Sequence, residues 1–110
     1  NRAIAKIEIK EYNSALEDLN MAIEISPNFA MPYLNRGVFK LEILKEYENA
    51  LKDVNKAIGL NSKYSNAYYQ RAIIKNKLGD SEGYKIDINN AANLGHEKST
   101  KLLKEILQND

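Results

Sequence analysis

The chain has 110 residues, 44% hydrophobic and 28% charged, with 16 basic and 15 acidic side chains and a formal net charge of +1. This length suits one domain with a modest core, and the balanced charge lacks the basic excess expected of a protein that binds nucleic acid or an anionic membrane surface. There is no cysteine, which excludes disulfides, thiolate metal sites and cysteine nucleophiles, and no apolar run is long enough to insert in a membrane.

Hydrophobic spacing predicts helices over residues 1–10, 12–25, 29–44, 46–59, 64–78, 80–93 and 97–108, and no strands. Leu16, Leu19 and Ile23 share a face of the second helix, as Leu51, Val54 and Ile58 do of the fourth, at steps of three and four residues. Ser26-Pro27-Asn28 and Asn61-Ser62-Lys63 are breakers. Pro32 falls in the first turn of its helix, where a missing N–H is harmless. Leu78-Gly79-Asp80 marks a turn with Gly79 as C-terminal cap, and Asp80 or Ser81 is the N-cap of the next helix. In the last helix Leu102, Leu103, Ile106 and Leu107 face inward, and Lys98, Lys101, Lys104 and Glu105 face water.

These elements repeat. Asn1-Arg2-Ala3 returns as Asn35-Arg36-Gly37 and as Gln70-Arg71-Ala72, at spacings of 34 and 35 residues. Tyr12-Asn13-Ser14-Ala15-Leu16-Glu17-Asp18 returns as Tyr47-Glu48-Asn49-Ala50-Leu51-Lys52-Asp53. Asp18, Asp53 and Asp87 are in register, as are Asn20, Asn55 and Asn89, and Ala22, Ala57 and Ala91. The longer spacing comes from one inserted residue, Leu44, at the end of a first helix, where a turn is expected to absorb it. Self-similarity at this period is the mark of a stacked helical-hairpin array.

The period, the paired helices, and Tyr33, Gly37, Tyr47, Ala50 and Ala57 in order through the middle unit resemble the tetratricopeptide repeat, with Pro27 ending the preceding unit. The resemblance covers about residues 1–95. It implies an all-α solenoid of antiparallel hairpins in one domain, 1–110: a partial first repeat (1–29), a second (30–64), a third (65–95) and a capping helix (97–108). Gly37, Ala50 and Ala57 are then close-packing residues, since larger side chains would clash. The chain departs from the pattern in lacking the opening residues of the first unit, in having Tyr84 for a small residue, with Gly83 before it restoring clearance, and in having His96 where proline is usual. The C-terminal cap implies that the array ends there. The open N-terminal end is expected to be covered, with another copy of the chain as one candidate.

Each unit carries an Arg and an Asp: Arg2 and Asp18, Arg36 and Asp53, Arg71 and Asp87. They are read as structural ion pairs, which fix geometry more than they add stability. The alternative, a row of guanidinium groups facing an anionic ligand, is disfavoured because an Asp at each level already occupies its Arg. The resemblance further implies that first helices line a concave binding groove. From the first unit this gives Ile4, Ile7 and Glu8. The second gives Met31, Leu34, Asn35, Val38, Leu41 and Glu42, and the third Asn66, Tyr69, Gln70, Ile73, Asn76 and Lys77. Such a groove suits an extended peptide or an amphipathic helix; the competing reading is that the aliphatic members pack between helices. Some members of the family hold acidic chaperone tails through a clamp of Lys, Asn and Arg. Asn35 matches one clamp position, but Ile4, Asn66 and Gln70 stand where Asn, Lys and Arg are needed, so the clamp is not expected.

The lone histidine, His96, is read as solvated surface in a turn. No phosphate loop, metal-ligand spacing or nucleophile motif is present, so no catalytic, cofactor or metal residue is assigned and no enzyme activity is expected. The reading is a module that binds a partner protein or peptide, with no nucleic-acid partner. Alternatives are a self-associating scaffold, including a homodimer, and a regulatory piece of a larger protein. Localisation is cytoplasmic by default, or the bacterial envelope given an upstream signal.

Overall fold

The computed structural model describes the backbone of residues 2–109 and the side chains of residues 11–108. Six α-helices follow one another: α1 (Arg2–Ile25), α2 (Ala30–Phe39), α3 (Tyr47–Leu60), α4 (Ser65–Lys77), α5 (Ser81–Asn93) and α6 (Glu97–Asn109), with a π-helical turn at Lys40–Leu44 closing α2. Each helix packs mainly against its neighbours in sequence, so the described residues form a linear stack of hairpins, α2 with α3 and α4 with α5, flanked by α1 and α6.

The hairpin turns have clear local causes. Lys45 adopts a left-handed conformation, φ 57°, after the π-helical turn, so Leu44 is absorbed by widening the last helical turn as well as by the loop. Gly79, φ 86°, does the same after α4, at no steric cost for a residue without Cβ. Asp80 then caps α5, its Oδ1 accepting from the Gly83 N–H at 2.9 Å. Gly83 makes room: a Cβ there would come within 2.7 Å of the Lys75 side chain from α4.

The first unit differs from expectation. Helices over 1–10 and 12–25 are predicted as a hairpin, whereas α1 is a single helix of 24 residues. The physical reason is the lack of a turn signal. Ile9-Lys10-Glu11-Tyr12 has neither the glycine that turns α4 into α5 nor the residue inserted after α2, and all four residues tolerate a helix.

Ala72, Ile88 and Ala91 are buried in the α4–α5 hairpin, and a core cluster is built around Leu34, Leu41, Ala50, Val54, Ala57, Ala67 and Ile74. Its tightest point is Gly37 on α2, where a Cβ would stand 2.7 Å from Val54 Cγ2 and 3.2 Å from the Ala50 carbonyl oxygen. Val54 is buried and stiff about χ1, so it has little room to move aside. Gly37→Leu is therefore expected to destabilise the domain by about 1–3 kcal/mol through overpacking. Gly37→Ala should cost less, because it gains roughly 1 kcal/mol in helix propensity and Ala72 holds the matching place in α4. Urea unfolding of both variants gives the comparison.

Candidate functional site

The periodic Arg–Asp pairs form two matching clusters. Arg36 on α2 donates from Nε to Asp53 Oδ2 at 2.9 Å and from Nη2 to Oδ1 at 2.7 Å, while Lys40 Nζ lies 3.0 Å from the same carboxylate. Its remaining nitrogen, Nη1, donates to Asn20 Oδ1 on α1 at 2.9 Å. One unit on, Arg71 donates to both oxygens of Asp87 at 2.8 and 2.9 Å, Lys75 approaches at 3.0 Å, and Arg71 Nη1 reaches Asn55 on α3 at 3.1 Å. Tyr33 and Tyr68 lie against their guanidinium groups at 5.9 and 5.3 Å.

Hydrogen bonding to Asp53 holds the Arg36 guanidinium above its ordinary pKa, although partial burial pushes the other way. Both arginines are thus committed to structure, as the ion-pair reading expects; Arg2, the third, lies outside the described side chains. The recurring Asn20 and Asn55, and the lysines at 40 and 75, are the partners that sequence reasoning missed, although their spacing was visible.

The predicted groove residues divide. Met31 is 45% exposed, and Asn35, Asn66 and Asn76 are exposed. Tyr69, Gln70, Val38 and Ile73 are half-buried, the last two packed against the core. Leu34 and Leu41 must be reassigned: at 1% and 3% exposure they are core residues of the α2–α3 hairpin and cannot meet a ligand. Ile4 and Ile7 lie outside the described side chains.

Two open hollows lie among the described residues. One, of about 360 Å³, lies between α1 and α2 and is lined by Leu19, Ala22, Ile25, Ser26, Phe29, Met31, Pro32 and Asn35. The other, of about 420 Å³, lies beside the turns that precede α2 and α4, between Phe29, Met31, Leu60 and Tyr64. Of the predicted groove residues whose side chains are described, only Met31 and Asn35 line them. Among the described residues no cluster of acidic and histidine side chains is suited to a metal ion.

His96 is not free surface. Its carbonyl accepts from the Thr100 N–H at 3.0 Å and its Nδ1 from the Ser99 N–H at 3.2 Å, so it is the N-cap of α6. Its ring stacks on Tyr69 with centroids 4.7 Å apart, and Lys98 Nζ lies 5.6 Å above the same tyrosine.

No family model matches the chain, and no curated protein matches it by sequence. Solved structures do. It is 28% identical to the second TPR of Spaghetti (RPAP3) bound to the HSP90 peptide SRMEEVD, over 84% of this chain and 85% of that one, with a TM-score of 0.71. It is 27% identical to the second TPR domain of human RPAP3 in complex with the HSP70 peptide SGPTIEEVD, over 96% and 88%, TM-score 0.75. The Arabidopsis OM64 TPR domain aligns at 26% identity over 96% and 87%, TM-score 0.79. The chain has the tetratricopeptide repeat fold. In this fold α2–α3 and α4–α5 are antiparallel hairpins, with α1 packed before them and α6 after them. Its register agrees with the stack: Leu103 stands in α6 where Arg36 and Arg71 stand in α2 and α4, counting from each helix start, and Asn89, the counterpart of Asn20 and Asn55, is exposed.

Two predictions follow from the tetratricopeptide clusters and caps. Asp87, fully buried, neutralises two cations, so Asp87→Ala should cost about 3 kcal/mol by stranding them, measured by urea unfolding at pH 7. The His96 cap requires an unprotonated Nδ1, and burial, then Lys98, lowers the ring's pKa below its ordinary 6.5. The unfolded chain therefore takes up this proton first, and the stabilising contribution, complete above pH 6.5, is lost as pH falls through the lower folded value. A loss of about 0.5 kcal/mol, at the low end of N-cap energies, is expected between pH 7.5 and 5. His96→Asn, which keeps a cap without a titrating ring, should remove this component when unfolding curves are compared at the two pH values.

Proposed function

We propose that this domain is a protein-interaction module that holds a peptide or helix of a partner along its first helices, with no catalytic chemistry of its own. The observation that carries the reading is the pairing of apolar and amide side chains on α2 and α4: exposed Met31 and Asn35 on one, exposed Asn66 and Asn76 with half-buried Tyr69 and Gln70 on the other. Arginines in the same helices are bound internally, so recognition falls to amides and apolar contacts. Asn and Gln side chains offer a donor and an acceptor to a peptide backbone. Solved domains 27–28% identical to this one carry bound peptides, which supports a ligand of that general kind.

The ligand differs in charge from those peptides. SRMEEVD ends in a cluster of carboxylates, and Asn66 and Gln70 occupy the places where the resemblance puts Lys and Arg. A cation at each place would supply a charge-assisted hydrogen bond worth about 1.5–3 kcal/mol. The Asn66→Lys/Gln70→Arg double variant is therefore expected to bind SRMEEVD at least about tenfold more tightly than the unaltered chain, by fluorescence anisotropy. For the native site, peptides selected from a displayed random library on the unaltered chain should lose about tenfold or more in affinity on Tyr69→Ala. Selected peptides that ignore both Tyr69→Ala and Asn35→Ala would place recognition elsewhere.

A further inference from the structure

The first helices of both hairpins carry one pattern. On α2 it is Ala30, Leu34, Arg36-Gly37 and Lys40, and on α4 Ser65, Tyr69, Arg71-Ala72 and Lys75. A small residue is followed four places on by an apolar or aromatic one, then by Arg, another small residue and, three further on, Lys. On α2 every member has a visible task. Ala30 and Leu34 share the core with Val54 and Ala57 of α3. Gly37 lets the backbones close at Val54 and Ala50, and Arg36 and Lys40 hold Asp53.

α1 repeats the surface that α3 presents to α2, but leaves it open. Asp18, Leu19 and Ala22 stand where Asp53, Val54 and Ala57 stand. The three residues of α3 are buried, whereas Asp18 is exposed, and Leu19 and Ala22 are half-buried and line the hollow between α1 and α2. Ile25 and Phe29, the counterparts of Leu60 and Tyr64, are exposed and complete its apolar lining. Residues 2–10 continue α1 in one unbroken helix, so they run on along its axis and do not cross this face.

The charge around the face has one sign. From residue 11 to residue 35 the chain carries Glu11, Glu17, Asp18 and Glu24, all exposed, and neither Lys nor Arg. Glu11 and Asp18, two helical turns apart, lie on one side of α1. The matching carboxylates of the closed hairpins each meet an Arg and a Lys, while Asp18 has no ion pair among the described residues. An apolar hollow edged by carboxylates is complementary to an apolar helix edged by cations.

We propose that this face is a second docking site and that its occupant is a basic amphipathic helix of a partner protein, with the pattern small-x-x-x-apolar-x-Arg-small-x-x-Lys. The helix lies antiparallel on α1 as α2 lies on α3. Its Arg and Lys meet Asp18, the small residue after the Arg passes over Leu19, and the apolar residue enters the hollow. Asp18, Leu19 and Ala22 take no part in the peptide surface on α2 and α4, so the two readings stand or fall separately.

The probe is a fluorescein-labelled peptide with the sequence of residues 30–41, which fills the equivalent seat on α3. The 110-residue chain is titrated against it to about 1 mM by fluorescence anisotropy, because an isolated helix of this length is marginal in water. Saturable binding is expected, weakened at least tenfold by Asp18→Arg and equally by replacing the peptide's arginine with aspartate. The two changes together should restore most of the affinity, since the charges are again opposite; restoration also shows that the variant folds. Tyr69→Ala should leave this binding unchanged. Absence of saturable binding, or binding that ignores Asp18→Arg, overturns the proposal. Loss on Tyr69→Ala alone would move the peptide to the α4 surface, which overturns this site and leaves the proposed function standing. A chain that sediments at twice its 12.5 kDa mass and excludes the peptide would give the face to a second copy and overturn the proposal as well.

Discussion

The guanidinium group of Arg36 joins three helices at one point, and Arg71 repeats the device. Two of its nitrogens are fixed on the aspartate of its own hairpin and the third on the asparagine of the helix before. Because the donors of a guanidinium form a rigid planar fork, the position of Asp53 sets where Asn20 must stand, and so sets how one repeat leans on the next. The clusters are partly buried and carry two cations per carboxylate, so they are poor candidates for net stabilisation. Their physical effect is on register: a slip of one residue between helices would lose both oxygens and leave buried charge unpaired. The apolar contacts, by contrast, are small and smooth at Gly37, Ala50 and Ala57 and would resist sliding less.

Most of the fold was legible because a stacked array writes the same constraints once per repeat. Small residues where backbones meet, a charge at each cluster and breakers between units all recur at one period. What was not legible falls where one residue decides between two structures of similar local cost. Ile9 to Tyr12 matches the turn of the second unit in sequence, yet without the extra residue or a glycine the helix runs through. Leu44 looked like loop length, and part of its accommodation is a π-helical turn, which no short apolar pattern distinguishes from an α-helical one.

The surface was harder to foresee than the fold for a related reason. A helix in a solenoid is packed on two or three sides, so an apolar stripe at helical spacing does not separate core from groove. Leu34 and Leu41 lie on a stripe shared with Val38, and only the packing of α3 on α2 shows that the two leucines point into the hairpin. The polar positions were read more safely, since an Asn or Gln buried without partners is costly and Asn35, Asn66 and Asn76 accordingly remain exposed. His96 was misjudged because an N-cap histidine has no sequence signature beyond its place before a helix; Ser99, three residues on and fully buried, completes the motif.

The two surfaces of the domain meet at the start of α2. Met31 and Asn35 face both the hollow beside α1 and the exposed side of the first helices. Tyr69, Gln70 and Asn76 on α4 are separated from that hollow by the whole α2–α3 hairpin. Tyr69 is also the one of this group whose position is set from outside its own repeat, through the His96 ring and Lys98.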